Sequence, residues 1–375
     1  MNNKEQRLNF WQNFKQWFIG AYKNNKTTIF CLLVIFLVWL ILIAVATSGF
    51  ASPASTANKV FGGIGPDGEQ IYHFSPEAFV IGNFAVQWYA IFILLGIISA
   101  ASLGYFEIKK KNFDLNILWD GLLIFVPAAI VGLRLYYVFV NWGDGWTFLD
   151  IIGWNGSTIA LSGLAIHGAI IVVAIGIIPF CKWKKINFWW FIDVVLPCFF
   201  IGQAIGRWGN FMNAELYGPM IQSENYINFL PRFITEQLTI RPEQARNGLQ
   251  TGPRHPTFLY ESILNLVGFT VVLFFKNKRV TKLGEFGCFY FIWYGIIRGA
   301  LIEPLRYFGS PVTGEVMTIP GTDFPINVLL SIVLVLAGIS IIVLRRTLKM
   351  YRENPYYTDY FREKLIINTI NDERT

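Results

Sequence analysis

Eight apolar runs, each roughly 20 residues long, are the dominant feature of this 375-residue chain. A helix rises about 1.5 Å per residue, so about 20 residues cross a hydrocarbon core about 30 Å thick. Hydrophobic residues make up 54% of the chain and charged residues only 15%, which excludes an ordinary soluble enzyme. The sequence therefore predicts an all-α polytopic integral membrane protein with eight transmembrane helices. The runs occupy residues 29–48, 86–106, 115–139, 158–180, 187–206, 257–275, 285–302 and 325–344.

The lysines predict how these runs cross the membrane. After the second run, connections that carry lysine alternate with connections that lack it, and the lysine-bearing ones include residues 109–111, 182–185 and 276–282. Lysine and arginine concentrate in cytoplasmic loops of membrane proteins. Further cations precede the first run and follow the last, so we expect both termini to lie in the cytoplasm.

The net charge of +7 does not indicate a nucleic-acid partner. A basic groove interleaved with aromatic residues is missing, and the cations lie beside apolar runs. Their expected partner is therefore membrane lipid with anionic headgroups. The four cysteines fall in or beside apolar segments, which indicates neither a disulfide framework nor a metal site.

The predicted organisation has three parts. Residues 1–80 contain a cytoplasmic segment, an extra transmembrane anchor at about 29–48 and an outer loop. Residues 81–348 form a membrane domain with an ordered outer cap at about 207–256, and residues 349–375 form a cytoplasmic tail that we expect to fray. Small residues after the first run leave cleavage of a signal peptide open, which would remove one crossing. The run is longer than a usual signal-peptide core, so we favour an uncleaved anchor.

Titratable side chains in the runs share one predicted depth. An ionisable group within a membrane span costs about 2.5 to 3.5 kcal/mol, so it indicates a buried partner, a cavity or a functional site. Neighbouring runs travel in opposite directions, yet these groups all fall in the outer half. This convergence predicts one polar cavity near the extracytoplasmic surface. The groups are Arg134, His167, Arg207, Tyr260, Glu261, Tyr294 and Arg298.

Arginines at headgroup depth suit a phosphate, because the guanidinium group stays charged and donates two parallel hydrogen bonds. The alternative is snorkelling, in which each arginine extends to the interface without binding a ligand. Three arginines on separate runs, near a histidine, favour a binding site. A buried histidine such as His167 is often only a hydrogen-bonded core residue, but beside arginines it is also a candidate base.

The densest polar motif follows the fifth run, from Gly202 to Gly218. Its glycines are expected to form tight turns where the helix leaves the membrane. Around Arg207, the side chains of Asn210, Asn213 and Glu215 supply groups that suit the hydroxyls of a glycerol headgroup. A generic helix-ending loop would explain the glycines but not this set of polar residues.

With these motifs the chain resembles the bacterial prolipoprotein diacylglyceryl transferases. The family's hallmark Gly-Arg-x-Gly-Asn-Phe-x-Asn-x-Glu-x-x-Gly is intact from Gly206 to Gly218. Further matches begin at Arg134, His167, His255 and Tyr294, in the family's order, across about 85–345. The resemblance implies seven family-like helices, preceded here by one extra N-terminal helix.

Three departures from the family pattern are present. Gln87 stands where the family usually has arginine, and Ala169 replaces a commoner glycine. The interval from Arg298 to Glu303 is one residue longer than the family's usual spacing. The roles of Glu303 and Arg306 therefore stay open at this stage.

The resemblance implies a reaction. The sn-1,2-diacylglyceryl group of phosphatidylglycerol is transferred to the lipobox cysteine thiol of a prolipoprotein, a thioether forms and glycerol-1-phosphate leaves. His167 is then the candidate base, and Arg207 and Arg298 are the candidate catalytic cations. The implied phosphatidylglycerol-binding residues are Arg134, Asn210, Asn213, Glu215, Gly218, Tyr89, Tyr260 and Tyr294. No metal or other cofactor is expected, and the implied location is the bacterial cytoplasmic membrane with an extracytoplasmic active site.

Two other classes of membrane protein fit the sequence less well. A transporter of an anionic or lipidic solute also places polar groups within the membrane, but it often shows internal repeats, and none is apparent here. An intramembrane serine protease is disfavoured because Ser162 and His167 are five residues apart and fall on different faces of a helix. The transporter remains the alternative prediction.

Overall fold

The computed structural model of the protein describes residues 37, 63–64, 70–71, 74, 76–81, 84–141, 151, 166–240, 251–309, 322, 324–348 and 355–360. Contacts divide the chain into two compact units. The first takes its residues from 1–106 and 195–375, and the second consists of residues 107–194.

Helices account for most of the described residues. In chain order they are α1 (Trp88–Lys110), α2 (Asn116–Val140), α3 (Ile166–Trp183), α4 (Phe188–Met212), α5 (Glu224–Phe229), α6 (Arg232–Gln237), α7 (Thr257–Phe275), α8 (Glu285–Ile296), a π turn (Ile297–Ile302), α9 (Glu303–Gly309) and α10 (Ile326–Thr347). Short antiparallel pairs join strands β1 (Gly63–Ile64) with β2 (Gln70–Ile71), β3 (Glu77–Ile81) with β4 (Phe84–Gln87), and β5 (Thr239–Ile240) with β6 (Gly252–Pro253).

Six helical stretches in the described residues are apolar and long enough to cross a membrane. They are Trp88–Lys110, Asn116–Val140, Phe188–Met212, Thr257–Phe275, Glu285–Arg306 and Ile326–Thr347. Each coincides with a run predicted from the sequence, so the prediction of a mainly helical polytopic membrane protein is confirmed. A seventh apolar helix, His167–Trp183, is shorter, and its predicted run began at residue 158, outside the described residues. The first run also lies outside them, except for residue 37, so the count of eight and the side of the termini stay predictions.

The second unit is built on a close pair of helices, α2 and α3. A Cβ atom added to Gly168 would lie 1.9 Å from the carbonyl oxygen of Gly132. Only glycines allow two helix backbones to approach this closely. The pair places Arg134 and His167 on adjoining helices of one unit.

An aromatic cluster attaches α6 to α4 and α7 in the first unit. The ring of Phe211, near the end of α4, lies 4.7 Å from that of Phe258 in α7 and 6.0 Å from that of Phe233 in α6. The side-chain amide of Gln237, which is 1% exposed, donates to the carbonyl oxygens of Phe211 and Met212 at 3.3 and 3.2 Å. The last carbonyls of a helix lack partners within it, so Gln237 satisfies the end of α4 and fixes the chain that follows.

The structure corrects the expected end of the fifth apolar run. The run was predicted to stop at residue 206, but α4 continues to Met212. Gly206 and Gly209 therefore lie inside the helix, and the prediction that they form tight turns was wrong. The turn comes later, where Ala214 and Leu216 have positive φ angles of 49° and 56°. Arg207 ends the apolar window, but the aromatic residues after it pack in the core and continue the helix.

Part of the C-terminal tail is held against the protein rather than frayed. Tyr357 is fully buried, and its backbone N–H donates to the carbonyl of Thr281 at 2.9 Å. Arg279 forms an ion pair with Asp359 at 2.9 Å. Residues 355–360 thus pack on the connection between α7 and α8.

Candidate functional site

A single buried carboxylate joins the two arginines that the sequence analysis singled out as catalytic cations. Glu261 lies in the second turn of α7 and is 4% exposed. One of its oxygens accepts from Arg298 Nη1 at 2.8 Å, and the other forms an ion pair with Arg207 Nε. Arg207 from α4 and Arg298 from the π turn therefore meet at one point in the first unit.

A second buried carboxylate extends this network. Glu303 Oε1 lies 2.5 Å from Arg298 Nη2 and 3.0 Å from Arg306 Nη1. Three guanidinium groups and two carboxylates are thereby linked in one chain of ion pairs, which we call the arginine network (Arg207, Arg298, Arg306, Glu261 and Glu303). Glu303 and Arg306 were not among the predicted site residues, although the sequence contains the acid and the base of their motif.

The residues after Arg207 add further hydrogen-bonding groups to the network. Asn210 accepts from Arg207 Nη1 at 3.4 Å and donates to Glu215 Oε1 at 2.7 Å. The turn after α4 brings Glu215 back, because its backbone N–H donates to the carbonyl of Asn210 at 3.1 Å. Asn213 lies in the same turn, and its side-chain oxygen is buried with no hydrogen-bond partner among the described residues.

Gly218 is needed for a close approach rather than as a polar group. Its N–H donates to the carbonyl of His255 at 2.9 Å, and a Cβ atom there would lie 2.9 Å from the His255 Cβ. The hydroxyl of Thr257 donates to the carbonyl of Leu216. These contacts hold the turn after α4 against the start of α7, where Glu261 lies.

Three polar side chains form a second cluster, which joins α5 to the start of α7. The Tyr260 hydroxyl lies 2.9 Å from His255 Nδ1 and is hydrogen-bonded to the Tyr226 hydroxyl. Tyr260 was predicted to bind substrate, whereas Tyr226 belongs to no motif and was not predicted. Tyr260 is adjacent in sequence to Glu261, so this cluster and the arginine network share the first turns of α7.

Burial lowers the pKa of His255, which makes folding sensitive to pH. Its ordinary pKa is about 6.5, so at mildly acidic pH the unfolded chain binds this proton more strongly than the folded protein does. The stability contributed by the neutral imidazole is therefore complete above about pH 6.5 and is lost as the pH falls. We expect the melting temperature of the wild-type protein in detergent to rise between about pH 5 and 7, and the His255→Gln variant to show a smaller rise. Parallel curves for the two proteins would contradict this assignment.

Two further predicted tyrosines lie in the first unit and shape the helix packing. Gly209 leaves room for Tyr89, since a Cβ atom there would lie 2.9 Å from Tyr89 Cδ2. Tyr294 stacks on Tyr290 with ring centroids 5.9 Å apart. Gln203 donates to the Tyr290 hydroxyl at 2.9 Å.

Arg134 and His167, in contrast, belong to the second unit. Arg134 Nε donates to the carbonyl of Ile151 at 3.0 Å, and its guanidinium carbon lies 5.3 Å from the centre of the Tyr137 ring. The His167 ring lies 5.5 Å from that of Tyr136. The two predicted residues thus occupy one unit, and the arginine network occupies the other.

A narrow crevice lies beside the arginine network. It is lined by Arg207, Asn210, Leu216, Thr257, Phe258, Glu261 and Arg306. The crevice combines guanidinium groups, which suit an anionic ligand, with the apolar side chains of Leu216 and Phe258. Among the described residues, no group of three or more His, Cys, Asp and Glu side chains is placed to hold a metal ion.

Comparison with known proteins identifies the family. A family model described as prolipoprotein diacylglyceryl transferase matches residues 76–344. A protein of Streptococcus uberis named phosphatidylglycerol–prolipoprotein diacylglyceryl transferase is 36% identical over 291 residues, which cover 76% of this chain and 99% of that protein. A protein of the same name from Streptococcus pyogenes serotype M5 is 37% identical over 246 residues, covering 64% of this chain and 88% of that protein. The chain therefore belongs to the prolipoprotein diacylglyceryl transferase family.

Proposed function

We propose that the protein transfers the sn-1,2-diacylglyceryl group of phosphatidylglycerol to the lipobox cysteine thiol of prolipoproteins, with release of glycerol-1-phosphate. The observation that carries the proposal is the meeting of Arg207 and Arg298 at Glu261, in a chain that belongs to this transferase family. The family match and the relatives' names favour this transferase over the transporter considered from the sequence.

The reaction is a displacement at the glycerol carbon that bears the phosphate. The cysteine sulfur donates an electron pair to form the carbon–sulfur bond, and the carbon–oxygen bond breaks with its electrons going to the phosphate oxygen. The leaving group changes from a phosphodiester with one negative charge to a monoester that gains a second charge. Cations fixed in place before the reaction stabilise this developing charge better than water does, because they need no reorganisation.

Arg207 and Arg298 are the proposed catalytic cations, and Arg134 is a second candidate for the phosphate. The buried carboxylates Glu261 and Glu303 hold two of the guanidinium groups at fixed positions. We assign headgroup orientation to the polar residues of the turn after α4 and to the tyrosines of the first unit. These residues are Asn210, Asn213, Glu215, Tyr89, Tyr260 and Tyr294, and Gly218 contributes by letting the turn approach His255 closely.

The attacking group must be a thiolate, and a free cysteine has a pKa near 8.5, so a base raises the reactive fraction at neutral pH. His167 is the proposed base, since imidazole accepts a proton in this range. We expect His167→Gln to lower the transfer rate, with a deficit that shrinks as the pH approaches 9, because the thiol then ionises unaided. Rates measured from pH 6.5 to 9 with a lipobox peptide test this. A deficit of equal size at every pH would make His167 a positioning residue instead.

The proposed membrane arrangement follows from the lysine pattern. Eight crossings with both termini in the cytoplasm place the arginine network on the extracytoplasmic side of the bacterial cell membrane. A lipid phosphate lies at that depth, so phosphatidylglycerol reaches the arginines without leaving the bilayer.

The decisive experiment uses purified protein, phosphatidylglycerol labelled in its acyl chains and a lipobox peptide. Mass spectrometry is expected to show peptide carrying one diacylglyceryl group on sulfur, with release of glycerol phosphate. A peptide with serine in place of the cysteine is the matched control. Movement of labelled lipid across proteoliposome membranes without any thioether product would instead support the transporter.

A further inference from the structure

The helix that carries Arg298 contains one wide turn. Residues Ile297–Ile302 form a π turn between α8 and α9, and the backbone N–H of Glu303 donates to the carbonyl of Arg298, five residues earlier. A regular α-helix closes this bond over four residues, so a π turn holds one extra residue. Such turns are rare and occur frequently at functional sites.

The wide turn decides which side chains face each other. In a regular α-helix, residues five apart are separated by about 140° around the axis, because each residue turns the chain by about 100°. In a turn closed by an i to i+5 bond, residues five apart are related much as residues four apart are in a regular α-helix. Arg298 and Glu303 therefore lie on one face, and their side chains pair at 2.5 Å.

Burial shows where the extra residue is accommodated. Ile297 and Ile302, at the two ends of the turn, are 9% and 0% exposed. Ala300 is exposed, and Leu301 beside it is 41% exposed. Gly299 backs onto α10, since a Cβ atom there would lie 2.7 Å from Ser331 Cβ. The turn thus widens on its outward side and keeps its inward side packed.

We propose that this π turn absorbs one residue of the segment and so keeps Glu303 paired with Arg298 for the transfer reaction, and the proposal rests on the function proposed above. The π turn contains one more residue than a regular α-helical turn, on its outward side. Glu303 and Arg306 therefore have the same positions around the helix axis that they would have in a continuous α-helix one residue shorter. In this register Glu303 joins Arg298 to Arg306 within the arginine network. The position of two guanidinium groups therefore depends on the backbone of residues 297–302.

Deletion of Ala300 tests the proposal. The shortened segment becomes a regular α-helix with Arg298 and the glutamate four residues apart, which still places them on one face. We expect transfer by this variant to stay within about threefold of wild type, as for outward-facing changes that disturb no packing. Insertion of one alanine after Ala300 turns the glutamate away from Arg298, and we expect kcat to fall at least about 100-fold, the effect of losing a charge-stabilising group.

The matched control is Ala300→Leu, which changes the outward side chain without changing the register and is expected to transfer normally. If wild type and Ala300→Leu transfer but the deletion variant does not, the active protein needs all of these residues in a regular α-helix, and the proposal is wrong. If wild type itself forms no thioether, the proposed function fails instead. The two failures are therefore distinguishable.

A second measurement decides the matter if the deletion variant does not fold. Nitroxide labels placed one at a time on cysteines from residue 292 to 306, with the native cysteines replaced, report oxygen accessibility in proteoliposomes. We expect the periodic oxygen accessibility along the helix to shift by one residue across 297–302. An unbroken period of about 3.6 residues through the segment would overturn the proposal.

Discussion

Replacement of Arg207 by alanine is expected to lower kcat for diacylglyceryl transfer by at least about 100-fold, because loss of one pre-placed charge-stabilising group costs about that much. The protein is expected to insert and fold. Glu261 keeps its 2.8 Å ion pair with Arg298 when Arg207 is removed, so no buried carboxylate is left without a counter-charge. Transfer to a lipobox peptide and melting temperature in detergent measure the two effects separately.

The control for this variant is Arg232→Ala. Arg232 also lies in the first unit, but its side chain is 58% exposed and pairs with Glu236 on the surface of α6. An exposed ion pair contributes about 0 to 1 kcal/mol, so this variant is expected to transfer normally. Arg207→Lys should fall between the two, because an ammonium group keeps the charge but cannot contact both Glu261 and Asn210 as the guanidinium does. Normal turnover by Arg207→Ala would remove this arginine from the mechanism.

The apolar runs predicted the helices of the described residues well, because twenty apolar residues have few alternatives in a membrane. Errors concentrate at the ends of helices. The run ending at residue 206 stopped at the first charge, whereas α4 continues to Met212 because Trp208 and Phe211 are buried, at 6% and 2% exposed. A hydropathy average counts Arg207 as an unpaired charge, although Glu261 from another helix neutralises it.

The proximity of Arg207 to Arg298 was predicted in outline from their shared depth in the membrane. The sequence could not show that Glu261 is the shared partner, because depth does not reveal which face of a helix a residue occupies. Glu303 and Arg306 were harder still. Glu303 lies five residues after Arg298, which a regular α-helix would place on different faces, and the π turn brings the two side chains together.

The glycines after residue 202 were assigned to a turn, although two of them lie inside a helix. Gly209 was interpreted as a turn former from its place in a glycine-rich motif, but its lack of a side chain serves the approach of Tyr89. Local sequence cannot separate these two uses of glycine, because both need the absence of Cβ and only one needs a positive φ. The turn itself uses Ala214 and Leu216, which no turn rule would select.

Replacement of Glu261 by glutamine is expected to affect folding as well as transfer, unlike the replacement of Arg207. Glu261 is 4% exposed, and its carboxylate faces both Arg207 and Arg298. A glutamine of the same shape leaves these two largely buried cations without their shared counter-charge, and removal of one partner of a buried ion pair costs about 3 to 5 kcal/mol. We expect a lower melting temperature together with loss of transfer, measured on the same detergent-solubilised protein.

The matched control is Glu236→Gln, which breaks an ion pair with Arg232 at the surface of α6 and is expected to change neither property, because exposed pairs contribute little. Coupling gives a sharper test. Once Glu261 is neutral, the Arg207 charge has lost a compensating partner, so adding Arg207→Gln should restore part of the stability that Glu261→Gln loses. No recovery in the double variant, or an unchanged melting temperature for Glu261→Gln, would mean that the carboxylate does not hold the arginines in place. Transfer would then have to depend on arginines positioned by the ligand itself.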